Sequence, residues 1–106
     1  MNSFHGIGRL TANAELKKSQ DKSYCRFSLA ISYGEEKVDF FPCVIFGKYA
    51  ESIYSYLTKG KLVAIEGSLH NNQYEKDGET RYYTSISVDK IQLLESKKEN
   101  ENKKED

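Results

Sequence analysis

The chain has no tryptophan, a single proline (Pro42) and only two cysteines, Cys25 and Cys43. Two thiols cannot build a disulfide framework, so a packed core has to hold the fold, and free thiols suit a reducing compartment. No apolar run approaches the roughly 18 residues needed to span a bilayer, and the opening Met1-Asn2-Ser3-Phe4-His5 lacks the basic and apolar regions of a secretion signal. These absences predict a soluble, cytoplasmic protein. Excess charge of one sign is also missing, because 16 Lys plus Arg stand against 16 Asp plus Glu. A polyanion or polycation partner would therefore have to be met by local clustering of charge. At 106 residues there is length for one small domain and no second.

Catalytic and metal chemistry are poorly supplied. His5, Cys25, Cys43 and His70 show none of the short spacings that build zinc sites, so no metal or cofactor is expected. Gly6-Ile7-Gly8 lacks the third glycine and the following helix of a dinucleotide site and reads as a place of close backbone packing. Asp39, Glu51 and Glu66 fall in separate elements with no motif that gathers them around a catalytic cation. An enzyme is not expected.

From Ser96 onward the sequence SKKENENKKED contains no apolar residue, cannot offset the entropy of ordering itself, and reads as a disordered polar tail on a domain of residues 1–95. Removing that tail leaves 12 basic and 12 acidic residues, so neutrality belongs to the domain. Within it, apolar and polar residues alternate over Phe4 to Leu10 and again at Cys25, Phe27, Leu29 and Ile31, which is strand periodicity with one buried face. Gly34-Glu35-Glu36-Lys37 predicts a turn into a third strand, Val38 to Phe46, and the two runs read as a hairpin. Pro42 cannot donate to a ladder, so this strand should be an edge or bulged there. After Gly47, the spacing of Ala50, Ile53, Tyr54 and Leu57 predicts one short helix ending at Lys59-Gly60. Leu62 to Leu69 and Arg81 to Leu94 supply two more strands, joined by a polar segment with the turn signal Asp77-Gly78. Five strands with one helix between the third and fourth is the order of the all-β, five-stranded oligonucleotide-binding (OB) fold, a partly open barrel. An SH3-like barrel or a small sandwich shares much of that order.

Four segments carry a closer resemblance: Gly8-Arg9-Leu10-Thr11 with Glu15-Leu16; Phe27-Ser28-Leu29-Ala30; the run from Val38 to Gly60; and Val63 to Leu69 with Tyr74, Asp77-Gly78 and Arg81-Tyr82. In these the chain resembles the bacterial-type single-stranded DNA-binding proteins. The resemblance implies an OB domain that coats single strands without sequence preference or catalysis in DNA replication, recombination or repair. It also implies assembly as a homotetramer and a cytoplasmic, nucleoid-associated location. A protein-interaction module on the same fold, such as a primosome-type accessory subunit, is the alternative.

Phe40, Val44 and Phe46 share one parity of their strand and Phe41, Cys43 and Ile45 the other, so one face holds aromatics that the core does not require. An exposed ring stacks bases at roughly 1–3 kcal/mol each, whatever the base. Matched to the family, the stacking aromatics fall on Phe40, Phe46 and Tyr74, and on Tyr33 across a shortened connection; the first and third of these positions are often tryptophan in relatives. Read alone, Phe40 and Phe46 are equally core residues, and Tyr74, among the polar residues His70 to Lys76, is equally a solvated tyrosine near a hairpin tip.

Candidate phosphate contacts are Arg9, Lys48, Lys59 and Lys61, with Arg26 and Arg81 behind them; Lys48 and Lys59 match basic positions of the family. Phe41, Phe4 and Ile7 are either interface or core. Two departures stand out. Residues His70 to Gln73 lack the Arg or Lys that relatives place before the aromatic, and Pro42 occupies a position that is often polar or basic. The ending Lys103-Lys104-Glu105-Asp106 also lacks the acidic, Pro-Phe-closed tip through which relatives recruit replication and repair proteins. Such an ending fits a shortened paralogue, a protein carried by a phage or mobile element, or a cut in a longer chain.

Overall fold

The computed structural model describes residues 1–94. The expected polar tail and the domain boundary in front of it lie outside those residues. Six strands carry the chain: β1 (Phe4–Leu10), β2 (Glu15–Ser19), β3 (Lys22–Gly34), β4 (Lys37–Phe46), β5 (Leu62–Lys76) and β6 (Glu79–Leu93). Between β4 and β5 lies one short helix, α1 (Gly47–Ile53), continued by a 3₁₀ turn, Tyr54–Tyr56. The strands form one sheet in the order β1-β5-β6-β4-β3-β2, and β1 also pairs with β3 at Arg9–Ala30 and Leu10–Leu29. That last pairing closes five of the strands into a ring, the OB arrangement, with β2 hanging outside it on β3. No helix of the described residues is long and apolar enough to cross a membrane.

The ring closes because the alternation is strict where strands overlap. Cys25, Phe27 and Leu29 of β3, Cys43 and Ile45 of β4, Val63 and Ile65 of β5, and Ile86 and Val88 of β6 all point inward and are buried. Leu57 plugs one end after the 3₁₀ turn and is fully buried, with Ala50 of α1 beside it in the same core. A hydrogen bond from Ser23 Oγ to Glu51 ties α1 to β3, and the Tyr49 hydroxyl accepts the Ile91 N–H at 3.0 Å, tying α1 to β6.

Three expectations are corrected. A strand, β2, precedes the two of the first hairpin, so four strands and not three come before the helix. Its Glu15-Leu16-Lys17-Lys18-Ser19 offers periodicity only one apolar residue, and its turn to β3 uses Gln20 and Asp21 at φ 51° and 69° where Asn-Gly would have been the readable signal. The polar segment His70 to Lys76 is strand rather than connection, because the β5–β6 ladder runs unbroken from Gly67–Val88 out to Lys76–Glu79. Asp77 and Gly78 alone turn the chain, both at positive φ. The helix is shorter than its apolar spacing predicts, because Leu57 N–H bonds Tyr54 O at 3.1 Å, an i to i+3 closure that tightens the last turn.

Pro42 has a simple explanation. Its partner on β3 is Ser28, whose carbonyl accepts the Thr11 N–H at 3.0 Å, away from β4. The Ser28–Pro42 pair is thus of the kind that exchanges no ladder bonds, and the missing N–H faces the other side, where pairing with β6 registers only at Cys43 and Val44. The strand is a local edge at Pro42, and the ladder loses nothing.

Gly8 bears out the close-packing reading of Gly6-Ile7-Gly8. It is buried between β5 and β3, and a Cβ placed on it would lie 2.3 Å from the Ala30 carbonyl oxygen. Gly8→Ala should therefore lower stability by about 1–3 kcal/mol or more in urea unfolding, whereas Gly34→Ala, whose nearest neighbour is a flexible lysine at 3.7 Å, should be near neutral. Equal midpoints for the two variants would contradict the close approach. Burial also pushes the Cys43 thiol up to about 12 from an ordinary 9.0. Its raised folded-state pKa contributes stability below pH 9 that is lost as pH rises from 9 toward 12, because only the unfolded thiol ionises freely there. An alkaline decline in the urea midpoint that is smaller in Cys43→Ala, with Cys43 unreactive to thiol reagents until the chain unfolds, is the expected result.

Candidate nucleic-acid interface

The register places one outward face across four strands. On β3 it carries Tyr24, Arg26, Ser28 and Ala30; opposite them on β4 stand Phe46, Val44, Pro42 and Phe40. Val44 is level with Ser87 of β6, and the ladder continues that row through Ser85–His70, Tyr83–Asn72 and Arg81–Tyr74 onto the β5–β6 arm. Because inward positions are filled by branched aliphatics, thiols and Phe27, the aromatics of opposite parity on β4 have no core to enter. Phe40 and Phe46 are 64% and 61% exposed, so their reading as core residues is excluded.

Local neighbours set how each ring is presented. Phe46 leans on Tyr24, ring centroids 6.4 Å apart, which steadies it while leaving its other side open. Phe40 lies opposite the small side chain of Ala30, which leaves its ring bare. Tyr74 is not the isolated tyrosine its polar neighbours in sequence suggest: its ring meets that of Tyr83 edge-on at 6.0 Å. Two hollows run along this face. One, of about 380 Å³, is lined by Phe46, Val44, His70, Asn72, Tyr83 and Ser85. The other, of about 300 Å³, is lined among others by Asn13, Glu15, Arg26, Pro42, Val44, Tyr83 and Ser85. Val44, Tyr83 and Ser85 belong to both, so the two adjoin.

Cations border this band, and Arg26 stands within it opposite Val44. Lys48 sits beside Phe46 at one end, in a depression shared with Lys22, Asp21 and Glu51. Arg9 lies in the same row as Phe40 with Ala30 between them, and its guanidinium donates to the Gly60 carbonyl at 2.9 Å. Lys59 is exposed, and its backbone N–H donates to Asn13 Oδ1 at 2.8 Å, which holds it at the rim of the second hollow. Lys61 is half-buried on the same loop. Arg26 is paired in register with Glu15, and Arg81 with Tyr74 while contacting Glu79 at 3.4 Å. Tyr33 stands apart: it is exposed at the irregularity between Ser32 and Gly34 and has no partner in the ladder. The ring contacts among the described residues do not include it.

Phe4 and Phe41 pack on each other with centroids 5.7 Å apart and lean on the core, whereas Ile7 is 58% exposed. Among the described residues no three His, Cys, Asp or Glu side chains gather as a metal site would need. Tyr83 is the feature that reading the sequence missed. Counting back from a two-residue turn at Asp77-Gly78 pairs Tyr74 with Arg81 and makes Tyr83 its diagonal neighbour, so the signal was present once the turn length was known.

Comparison with known proteins identifies the family. Residues 1–94 match the model of the single-strand binding protein family. The chain is 45% identical over 98 residues to single-stranded DNA-binding protein 2 of Streptococcus agalactiae serotype V, covering 86% of this chain and 75% of that one. It is 43% identical over 98 residues to the single-stranded DNA-binding protein of Treponema pallidum, covering 85% of this chain and 56% of the other. Against single-stranded DNA-binding protein 1 of Clostridium acetobutylicum, identity is 35% over 108 residues, with 93% and 98% covered. The chain belongs to the single-strand binding protein family.

Proposed function

We propose that this chain binds single-stranded DNA along the outer face of β3, β4, β6 and the β5–β6 arm, holding the strand by stacking bases on aromatics and by phosphate contacts at the margins. Family membership makes it a non-enzymatic binding protein for single-stranded DNA. The observation that carries the location is the outward presentation of Phe40, Phe46 and Tyr74 on one continuous face. Every base has an apolar face, so rings in a row bind without regard to sequence. Lys48 at one end, Arg9 beside Phe40, and Lys59 at the rim of the second hollow would meet the backbone of a strand lying on those rings. Lys61 and Tyr33 are the outlying members of the set. The cellular role is protection of single strands exposed in replication, recombination or repair, in the cytoplasm at the nucleoid.

The neutral domain gains contact length by repetition, since weak sites on one strand act at high effective concentration. A homotetramer is supported by the uncovered side of β1. From Phe4 to Gly8 that strand pairs with β5 alone, as β3 reaches it only at Arg9 and Leu10, and Ile7 is exposed there with Val38 nearby.

Titration with oligo-dT over a range of salt separates the two contributions. Tyr74→Ala should weaken binding by about 1–3 kcal/mol with the salt slope unchanged. Lys48→Ala or Lys59→Ala should instead flatten log affinity against log salt by about 0.7. Identical slopes for the lysine variants and wild type would remove those lysines from the phosphate contacts. Light scattering at micromolar concentration should give the mass of a tetramer; a monomer would refute the assembly.

A further inference from the structure

Tyr83 is a large aromatic side chain, 47% exposed, in the middle of a polar neighbourhood. Core packing does not account for it, because the inward positions of β6 are Ile86, Val88 and Ile91. Its place is set by the ladder: opposite Asn72 on β5, diagonal to Tyr74, and on the same face as Val44 and Phe46. With Val44 and Ser85 it is one of three side chains that line both hollows, and the only aromatic one. Continuing the parallel register from Cys43–Ile86 and Val44–Ser87 brings Tyr83 level with Phe40, across the gap that opens where β4 and β6 part. Phe40 and Phe46 lie six residues apart on β4, about 20 Å at the strand rise. A strand leaving β4 for Tyr74 on the arm therefore crosses Tyr83; Asn72, Ser85 and Ser87 there offer hydrogen bonds, and the other ring on the way is the smaller imidazole of His70, hydrogen-bonded to Ser68 Oγ at 3.0 Å.

We infer that Tyr83 is a base-stacking platform, the one that joins the β4 aromatics to Tyr74. The inference rests on the binding face proposed above and adds a residue to it. Edge-on contact with Tyr74 at 61° fixes the two rings at a steep angle, so a face of each is free for a different base. Such a pair turns the strand between successive stacks as it climbs the arm. The same contact would also let Tyr83 act merely as a prop for Tyr74, and the test has to separate the two roles.

The full chain contains no tryptophan, so Tyr83→Trp creates a single indole whose emission reports its own environment. Oligo-dT should quench that emission in proportion to saturation, and the variant should bind at least as tightly as wild type. Tyr83→Phe should bind like wild type. Tyr83→Leu, which keeps apolar bulk against Tyr74 but offers no ring, should bind about fivefold to a hundredfold more weakly, with unchanged salt slope and urea midpoint. Wild-type affinity in Tyr83→Leu, or an indole whose emission oligo-dT leaves unchanged, would overturn the inference; weak binding by Tyr83→Leu with an unquenched indole makes Tyr83 a prop only. In each of those cases weakened binding by Phe46→Ala would leave the binding face itself standing. If Phe46→Ala and Tyr83→Leu both bind as wild type does, the face is wrong and the inference falls with it.

Discussion

The pairing of Arg9 and Leu10 with Ala30 and Leu29 joins the two ends of a strand series into a ring, and everything else in the molecule depends on that closure. An open sheet has two faces to cover, but a ring has one interior. Once β1 bridges β5 and β3, each strand commits alternate side chains inward, and the remainder must face out whatever their hydropathy. Phe40 and Phe46 are exposed for this reason and not because the sequence around them is polar. The closure itself hangs on Gly8, where no side chain would fit against the Ala30 carbonyl.

The electrostatics of the face suit a stacking mode more than a charge-driven one. Arg26 shares its row with Glu15, Lys48 its depression with Asp21 and Glu51, and the centre of the face offers Asn72, Ser85, Ser87 and His70. Apart from Arg26 and Arg81, the cations named lie at the margins of the face. Aromatic contributions do not fade with salt as phosphate contacts do, so under the proposed mode a neutral domain would hold its strand chiefly through rings. Assembly into a multimer would add contact length without adding net charge.

The parity of β4 was legible because a twofold period needs only a few residues to declare itself, and it correctly set Phe40, Val44 and Phe46 against Phe41, Cys43 and Ile45. The Asp77-Gly78 turn was legible from backbone chemistry alone, as was the turn at Gly34 to Lys37. Strand β2 was not, since a strand that hangs on one neighbour and half-buries only Leu16 has no reason to show a pattern. The arm from His70 to Lys76 escaped for a related reason: its order comes from ladder hydrogen bonds, which any sequence free of proline can make, and not from burial.

Composition, period and turn residues thus determined the fold class, the inward and outward sets of the β3–β4 hairpin, and, with the motif from Val44 to Gly60, the family. These are local properties, readable along a chain because they depend on neighbours in sequence. Which rings share a face across strands depends on register, and register is decided by turn length, by the bulges at Ser32 and Gly34 and at Glu66 and Gly67, and by the single parallel contact of β4 with β6. Only the tertiary structure could therefore set Arg9 in the row of Phe40, Lys59 at the rim beside Asn13, and Tyr83 across the gap from Phe40, because each joins segments far apart in the chain whose relative shift no local pattern encodes.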